Sequence, residues 1–294
     1  MNNILAPKGD ADHRIIINNI LKRGTYDENP RAHYKDGSPA NSKFITQKVI
    51  QYDIINNQSP MITLRPIAWK SAIKEILWIY QDQSNSLDLL RNKYGIKWWD
   101  SWDIGDGTIG ERYGETVRKY DLINKLIKDL KDNPFGRRHV LSLWQEQDFD
   151  EDPKGLHPCA FMNIYTVRKP YTNSNRCALD ATLIQRSSDY PTSCTINEIQ
   201  YLALQLMLAK VCNYIPGKFV HFIQNAHIYT KHIDAAKELI SRKSIKCNPI
   251  LVLDTDKTDF YDFSVDDFIM KDYPLEQIKE INPQINIFRD DIAI

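Results

Sequence analysis

The chain has 294 residues, of which 42% are hydrophobic and 26% are charged, and its 38 basic and 38 acidic side chains leave no formal net charge. This length and composition are typical of a globular chain with a sizeable core, and they argue against intrinsic disorder. Without a basic excess the chain is a poor binder of long nucleic acid, although a local arginine cluster could still bind a small anion.

Hydrophobic periodicity predicts helices, in chain order, over residues 13–21, 70–81, 117–131, 196–212 and 229–242. The fourth helix is the clearest, because Thr195 and Glu198 have the spacing of a capping box in front of a broad apolar stripe. Strand-like runs lie between the helices, at residues 138–144, 159–167, 179–185 and 218–223, and three of the four partly alternate apolar with polar residues.

The distribution of these elements predicts the fold class. Strands cluster in the middle of the chain and helices flank them, which favours a single α+β domain over residues 1–294, with a central mixed β-sheet flanked by helices. Three polar stretches, residues 28–42, 145–155 and 170–176, are short and rich in turn-forming residues, so we expect surface loops there rather than domain boundaries.

The cysteines and the hydropathy predict the compartment. The five cysteines lie far apart and none belongs to a C-x-x-C pair, so their spacing does not support a zinc site, and no metal is expected. An odd number of cysteines and an N-terminus without an apolar segment predict free thiols and a cytoplasmic location. No apolar run reaches the roughly 18 residues of a membrane span.

Two motifs are candidates for covalent chemistry and anion binding. Cys159 lies where a predicted loop enters a strand, and a thiolate is a strong nucleophile whose pKa falls beside arginine or lysine. The alternative for a lone cysteine is a small core residue. Arg137 and Arg138 point to different faces of an extended segment, and guanidinium groups bind phosphate through two hydrogen bonds. Their alternative is a solvated pair at a strand start.

Two further motifs offer polar groups suited to a nucleotide. Arg186, Ser187 and Asp189 lie at the exit of a predicted strand, where they could hold a phosphate and a polar ring or simply form a turn. Asn197 lies one turn into the buried helix, where an unpaired amide is costly. Its donor and acceptor match the edge of a uracil-like ring, and its alternative role is an internal cap.

A last candidate pair follows a predicted strand. His227 and Tyr229 are two residues apart and could both reach a sugar hydroxyl, or they could form a satisfied buried pair. The sequence has neither a P-loop nor a G-x-G-x-x-G motif, so it lacks the signatures of nucleoside triphosphate and dinucleotide binding. Together the candidates predict an anion-binding, pyrimidine-like pocket with a thiol nucleophile.

These residues, in this order, resemble the thymidylate synthase family over nearly the whole chain, from about residue 15 to residue 294. The resemblance is carried by WKSAIKEILWIYQ (69–81), WWDSWDIGDGTIGERYG (98–114), GRRHV (136–140), HPCAF (157–161), QRSSD (185–189), NEIQY (197–201), AHIYTKHID (226–234) and the ending IAI (292–294). It implies a fold whose sheet faces pair in a homodimer. It also implies a methyltransferase that converts dUMP to dTMP with 5,10-methylenetetrahydrofolate as carbon and hydride donor.

The resemblance assigns a role to each candidate around the nucleotide. Cys159 would add to C6 of dUMP, while Glu75 and Tyr113 would manage protons through ordered water. Asn197 would read the pyrimidine edge. The phosphate and the deoxyribose would be held by a larger set of side chains: Arg31, Arg186 and Ser187 from one subunit, Arg137 and Arg138 from the other subunit, and His227 and Tyr229 at the 3′-hydroxyl. Arginines around one phosphate fix the substrate and can lower the pKa of the cysteine.

The folate side of the implied site involves different residues. Asp189 would orient the pterin, Trp99 and Trp102 would line the pocket, and Ile294 would close over the site as a lid. Lid closure would exclude water, which could otherwise intercept the exocyclic methylene intermediate.

The sequence departs from the family pattern in four places. A glycine-rich Leu-Pro-Phe stretch after Asp189 is replaced by YPTSCTI at residues 190–196. Ala160 follows the nucleophile where many members have histidine, Gln224-Asn225 stands where Gly-Asp is common, and Arg65-Pro66 replaces a Lys-Arg pair that often meets the folate glutamate tail.

The changed stretch leaves two alternatives to thymidylate synthesis. One is a hydroxymethylase acting on dUMP or dCMP with the same folate, in which water quenches the methylene. For that enzyme an aspartate at position 197 would favour cytosine, so Asn197 favours uracil. The other is a non-catalytic nucleotide- or RNA-binding paralogue, which should have lost the nucleophile or the phosphate arginines. Neither is lost here.

Overall fold

The structure is a computed structural model that describes residues 6–34, 36–151, 155–170 and 174–290. Its helices are α1 (Lys8–Arg23), α2 (Trp69–Tyr80), α3 (Leu87–Tyr94), α4 (Gly114–Tyr120), α5 (Leu122–Asp132), α6 (Glu146–Glu151), α7 (Tyr190–Val211), α8 (Ile233–Ser241), α9 (Leu275–Ile281) and α10 (Ile287–Asp290). Its strands are β1 (Thr25–Asp27), β2 (Ser42–Asp53), β3 (Val140–Ser142), β4 (Ala160–Arg168), β5 (Ala178–Gln185), β6 (Ser188–Asp189), β7 (Ile215–Tyr229), β8 (Ile250–Leu253) and β9 (Phe268–Lys271).

A mixed sheet organises the domain. Its strand order is β1-β2-β7-β5-β4-β3, with β6 pairing alongside β7. Strands β5 and β7 are parallel, whereas β2–β7, β4–β5 and β3–β4 are antiparallel. Strands β8 and β9 form a separate antiparallel pair. The predicted α+β class with a central mixed sheet is confirmed.

Helix α7 is the centre of the core. It packs against α2 and lies on strands β5 and β7, so almost every one of its faces is buried. This burial explains the breadth of its apolar stripe, because a helix with core on all sides has no solvent face to keep polar. The predicted burial of this helix is confirmed.

The predicted capping box at Thr195 is wrong. Helix α7 begins at Tyr190, and Pro191 lies in its first turn, where a missing backbone N–H costs nothing. Thr195 is therefore inside the helix, and its Oγ1 forms a 3.1 Å hydrogen bond with Nε2 of His13. Glu198 reaches other elements instead of the helix start. The S/T-x-x-E spacing arises here from buried tertiary contacts.

Other boundaries also differ from the prediction. The single helix expected over residues 117–131 is two helices, because Asp121 adopts a left-handed conformation (φ 51°) between α4 and α5. Aspartate tolerates this conformation better than most residues. The helix expected over 229–242 begins only at Ile233, after a short 3-10 turn, and the expected loop 145–155 contains α6. The strand expected over 138–144 is limited to β3.

The sequence prediction missed β2 and the end of β7. Strand β2 pairs with β7 from Ser42 opposite Tyr229 to Asp53 opposite Lys218. The polar residues of β2 obscure the alternation that is typical of a strand. Only the pairing with β7 shows that one face of β2 lies on the core. The longer β7 carries the AHIY motif to the end of the sheet.

The two faces of the main sheet differ in their covering. Helices cover one face, which contributes Tyr165, Leu183 and Phe219 to the core. The opposite face, here called the open sheet face, carries apolar side chains that are half-buried or exposed: Val49, Phe222, Ile184 and Met162 in one row across the strands, with Val220, Ile164 and Val140 beside them. Val49 is 63% exposed.

Among the described helices, none combines the length and the apolar character that a membrane crossing requires.

Candidate active site

Cys159 lies where three strands end. It immediately precedes β4, whose first residue Ala160 pairs with Gln185 at the end of β5. Because β4 runs antiparallel to β5 and β5 runs parallel to β7, the start of β4 and the carboxyl ends of β5 and β7 meet at one end of the sheet. The QRSSD and AHIY motifs lie at those carboxyl ends, so the topology brings them to Cys159.

Arg186 is fixed beside the thiol by backbone carbonyl groups. Its Nε donates to the oxygen of Pro158 at 3.0 Å and its Nη2 donates to the oxygen of His157 at 2.7 Å. The same Nη2 lies 3.5 Å from Sγ of Cys159. These bonds hold a positive charge against the sulfur.

Burial and arginine charge act in opposite directions on the thiol. Burial raises the pKa of Cys159, while the charges of Arg186 and Arg31 oppose that rise without overcoming it. The arginine charges therefore act on the pKa of Cys159 in the expected direction, and burial outweighs them.

The arginines predicted to bind phosphate occupy two places. Arg31 is exposed and lines a cleft together with Trp102 and Leu156, close enough for its charge to act on Cys159. Arg137 and Arg138 are exposed beside the edge strand β3, and within the described residues neither side chain has a hydrogen bond or an ion pair.

Arg137 and Arg138 are remote from the thiol of their own chain. The carbonyl oxygen of the next residue, His139, accepts a hydrogen bond from the backbone of Tyr165 at 2.9 Å. The strand from residue 159 to residue 165 spans roughly 20 Å at about 3.3 Å per residue. The structure therefore does not bring these two arginines together with the other predicted site residues.

Asn197 lies at the end of a hydrogen-bonded amide cluster. Its Oδ1 accepts from Nε2 of Gln185 at 3.1 Å, and its Nδ2 donates to Oε1 of Gln200 at 2.9 Å. Asn197 is half-buried, so part of the residue remains accessible. Ser187 joins the cluster through its carbonyl oxygen, which accepts from Nε2 of Gln185 at 2.9 Å.

His227 and Tyr229 lie beside Asp189. The short strand β6 pairs with β7 so that Asp189 stands opposite His227. The ring of His227 contacts the ring of Tyr229 edge-on, with centroids 5.0 Å apart, and its Nδ1 lies 3.1 Å from Oδ1 of Asn225. Burial lowers the pKa of His227, so its ring is neutral and offers one donor and one acceptor.

Glu75 is the buried acid of the site. It accepts a 2.5 Å hydrogen bond from Nε1 of Trp98. Burial raises the pKa of Glu75 to about 7, and hydrogen bonding, foremost from Trp98, limits the rise. A carboxyl group with this pKa gives up and recovers a proton readily at physiological pH, which is what general acid–base chemistry needs.

Tyr113 forms a hydrogen bond with the backbone of Cys159. Its hydroxyl oxygen accepts the backbone N–H of Cys159 at 3.3 Å, and burial raises its pKa far above the usual range. Its backbone has a positive φ of 51°, which is strained for a tyrosine. The ring of Trp99 contacts both Tyr113 and Trp102 edge-on, at 5.0 and 5.5 Å between centroids.

The altered stretch at residues 190–196 forms the first turns of α7, not a loop. Arg65 is buried against it, and its Nη2 donates to the carbonyl oxygens of Pro191 and Thr192 at 3.0 and 2.8 Å. Arg65 is therefore held by the helix start rather than extended towards solvent. The predicted lid residue Ile294 lies outside the described residues.

Several residues in direct contact with the site had no role in the sequence analysis: Trp98, Gln185, Gln200 and Tyr201. Tyr201 donates to the carbonyl oxygen of Ala160 at 3.0 Å, just behind the nucleophile. All four belong to stretches quoted for the family resemblance, so those motifs contained a signal. Their roles depend on contacts between α7, β5 and α2, which no local pattern reveals.

Comparison with known proteins gives one consistent result. A family model described as thymidylate synthase matches residues 12–285. The chain is 47% identical over 289 residues to the thymidylate synthase of Streptococcus pneumoniae (strain 70585), covering 98% of this chain and 99% of that one. The thymidylate synthase of Streptococcus gordonii (strain Challis) gives the same identity and coverage. The solved structure of thermostable thymidylate synthase A from Bacillus subtilis matches with a TM-score of 0.83 and 31% identity, covering 97% of this chain and 99% of that one.

Proposed function

Because the chain belongs to the thymidylate synthase family, we propose that Cys159 is the nucleophile of its reaction. The chain is an enzyme that converts dUMP to dTMP with 5,10-methylenetetrahydrofolate as cosubstrate, and the relatives favour this reaction over hydroxymethylation. One observation carries the proposal for Cys159. Its Sγ lies 3.5 Å from the fixed guanidinium of Arg186, where three strands meet.

The addition step follows from ordinary thiolate chemistry. The thiol of Cys159 gives its proton to water as its sulfur bonds to C6 of the pyrimidine, and the C5–C6 π electrons move to C5, where they form an enolate stabilised by the C4 carbonyl. C5 becomes a carbon nucleophile. When bound, the folate supplies the one-carbon unit and then a hydride. The chain's own residues hold the nucleotide, move the C5 proton and release the thiol at the end.

The phosphate of dUMP binds to Arg186, Arg31 and Ser187 in this proposal. Arg186 is already positioned by backbone carbonyl groups, so binding costs little side-chain order at that residue. Asn197 reads the pyrimidine edge with the amide atoms that its two glutamine partners leave free. His227 and Tyr229 hold the 3′-hydroxyl from the end of β7.

Glu75 and Tyr113 manage the protons. The pKa of Glu75, raised to about 7 by burial, lets this carboxyl group protonate and deprotonate during one turnover. Tyr113 keeps its own proton, because burial raises its pKa, and it positions the backbone of the nucleophile.

A buried polar atom supports the fit of a folate. Within the described residues, Oδ1 of Asp189 has no hydrogen-bond partner, although the atom is buried. A pterin ring carries donors and acceptors on its edges and offers a partner to such an atom. Asp189 orients the pterin, Trp99 and Trp102 line its pocket, and Ile294 closes over it in this proposal.

The open sheet face supports a homodimer in which each subunit completes the other's site. A row of half-buried and exposed apolar side chains across one sheet face is typical of a surface that another subunit covers. Arg137 and Arg138 lie roughly 20 Å along the strand from their own Cys159 and lack ion pairs within the described residues, so we infer that they bind the phosphate of the partner's site.

The five cysteines are all free thiols, and this supports a reducing compartment such as the cytoplasm. We also infer that the catalytic domain extends over residues 1–294.

Replacement of the nucleophile tests the central proposal. Cys159→Ala should abolish dTMP formation, measured by mass spectrometry of the nucleotide after incubation with dUMP and methylenetetrahydrofolate, while dUMP binding stays measurable. Cys177→Ala is the matched control and should keep full activity. Cys177 is also half-buried, and it lies just before the first residue of β5, at the opposite end of that strand from Cys159. Turnover by Cys159→Ala equal to that of the control would contradict the role of Cys159.

A further inference from the structure

A chain of buried hydrogen bonds runs from the core to Asn197. It begins at Glu198, passes through His221 and Gln185, and ends at the side-chain amide of Asn197. Glu198 and His221 have no exposed side-chain surface, and Gln185 is buried. Most buried polar groups are hydrogen-bonded, and each bond of this network constrains the orientation of the neighbouring group.

The orientation of the Gln185 amide is determined by its partners. The carbonyl oxygen of Ser187 can only accept, so the atom 2.9 Å from it must be the donor Nε2 of Gln185. The oxygen Oε1 then faces Nε2 of His221 at 2.8 Å. Because that oxygen can only accept, the imidazole must carry a proton on its Nε2.

Glu198 explains why the imidazole proton is there. Nδ1 of His221 lies 3.3 Å from Oε1 of Glu198. Burial raises the pKa of Glu198 and lowers the pKa of His221 to about 3, so both groups are neutral. The carboxyl proton of Glu198 is donated to Nδ1, which leaves the imidazole proton on Nε2. An ionised Glu198 would instead accept a proton from Nδ1 and leave Nε2 bare against the glutamine oxygen.

The hydrogen bonds of Asn197 determine which of its atoms can bind the pyrimidine edge. Gln185 donates to Oδ1 of Asn197, and Nδ2 of Asn197 donates to Gln200, so one lone pair and one N–H remain. The lone pair suits N3–H of uracil and the N–H suits its O4. Cytosine presents the opposite pattern, an acceptor at N3 and a donor at its amino group. A flipped Asn197 amide would therefore match cytosine.

We propose that Glu198 and His221 are positioning residues that hold the Asn197 amide in the orientation that selects uracil over cytosine. This inference rests on the proposed function, in which Asn197 reads the pyrimidine. A flipped Asn197 would place its NH₂ against the NH₂ of Gln185, and Gln185 cannot turn while the carbonyl oxygen of Ser187 and Nε2–H of His221 both hold it.

The decisive experiment compares two substitutions at Glu198. Dissociation constants of dUMP and dCMP are measured for the full-length protein by calorimetry. Glu198→Leu removes the carboxyl donor to His221 and leaves only the weaker thiol of Cys194, 4.0 Å from Nδ1. The ratio of the dCMP dissociation constant to the dUMP dissociation constant should then fall about tenfold. Glu198→Gln keeps an N–H that can donate to Nδ1, and the ratio should stay within about twofold of the original protein. His221→Phe should resemble Glu198→Leu.

A control variant separates positioning from stability. Gln205 lies in the same helix, is fully buried, and donates to the carbonyl oxygens of Leu179 and Lys218. Gln205→Leu loses comparable hydrogen bonds without touching Asn197, so it should lower stability and leave the nucleotide ratio unchanged. An equal change of ratio in Gln205→Leu would overturn the inference, as would an unchanged ratio in both Glu198→Leu and His221→Phe.

Two measurements on the unmodified protein remain informative if a variant does not fold. Nitrogen-15 NMR should show that His221 carries its proton on Nε2, and a proton on Nδ1 with a bare Nε2 would overturn the inference. The ligand atoms of Cys194, Glu198 and His221 lie within 4.8 Å of one another, so metal analysis is the second test. Stoichiometric metal at these residues would occupy Nδ1 and overturn the proposed proton arrangement.

Failure of this inference is distinguishable from failure of the proposed function. If Asn197→Asp leaves the nucleotide ratio unchanged, Asn197 does not read the pyrimidine and the proposed function is wrong at that residue. If Asn197→Asp changes the ratio but Glu198→Leu and His221→Phe do not, only the positioning role is wrong.

Discussion

The two halves of α7 are both largely buried but differ in chemistry. The first half, residues 190–201, carries buried polar side chains that hydrogen-bond to other elements or to one another, including Thr195, Glu198 and Gln200. The second half, residues 202–211, is almost entirely apolar in its buried positions, with Gln205 as the exception. The same helix therefore supplies function at one end and packing at the other.

This difference predicts opposite trade-offs in the two halves. A buried polar group that is only partly satisfied costs stability, and proteins keep such groups where chemistry requires them. Apolar burial stabilises without restricting the chemistry. Substitutions on the polar side should therefore change activity or selectivity more than stability, and substitutions on the apolar side should do the reverse.

The largest expected effect is at Glu75 in α2, which contacts Gln200 in the first half of α7. Glu75→Gln removes the group proposed to transfer protons, so kcat should fall by about 10²–10⁴-fold. The free energy of unfolding of the Glu75→Gln variant should be higher than that of the original protein at neutral pH. The pKa of Glu75 is raised to about 7 in the folded protein, so the folded state binds an additional proton and loses stability as the pH rises from about 4.5 to 7.

Because the amide of the Glu75→Gln variant cannot ionise, that variant should escape this loss. The difference in unfolding free energy between Glu75→Gln and the original protein should grow with pH, to on the order of 3 kcal/mol above pH 7. Urea unfolding at pH 5 and pH 8 measures it. A variant that loses both activity and stability at pH 8 would contradict the assignment of Glu75 as a destabilising functional group.

The next effect tests the apolar half. Leu204 has no exposed surface and lies one turn beyond Gln200. Leu204→Ala should lower the free energy of unfolding by about 2–5 kcal/mol, because the cavity it leaves cannot fully collapse. The preference for dUMP over dCMP should not change, since no hydrogen bond near Asn197 is lost. A changed preference would mean that packing, not hydrogen bonding, positions the amide.

Sequence reasoning succeeded where a pattern is local. The apolar stripe of α7, the strands β4 and β5 and the turn motifs around Cys159 each have a signature within one stretch of chain. It failed where tertiary contacts decide. The first turn of α7 is bonded to Arg65 from a distant part of the chain, and the twelve residues of β2 are paired with β7. The family motifs contained Gln185 and Gln200, but their pairing with Asn197 appears only in the folded chain.

A selectivity change should follow at Asn197 itself. In Asn197→Asp a carboxyl group replaces the amide, so the N–H that suits O4 of uracil is lost and an acceptor for the amino group of cytosine takes its place. The ratio of dCMP to dUMP affinity should rise about 10- to 100-fold. Competition binding measures it, with Leu204→Ala as a control for general destabilisation. An unchanged ratio would remove Asn197 from pyrimidine recognition.

The smallest expected effect concerns Thr195. It tests whether the Thr195 hydroxyl caps its own helix or bonds to another element. A capping residue interacts with its own helix, whereas the structure pairs Thr195 with His13 of α1 at 3.1 Å. Burial lowers the pKa of His13 to about 3, so the ring is neutral and forms an ordinary hydrogen bond rather than an ion pair. The two residues should therefore be coupled by about 1 kcal/mol, independently of pH above pH 5.

A double-mutant cycle of Thr195→Val and His13→Leu measures that coupling by urea unfolding. If the hydroxyl served the helix start instead, Thr195→Val would cost the same whether or not His13 were present, and the coupling energy would be near zero. Because Thr195 lies in the polar half of α7 and His13 lies in α1, a finite coupling would also show that this half is held by bonds between elements. The apolar half needs no such partner, and Leu204 should show no coupling to His13.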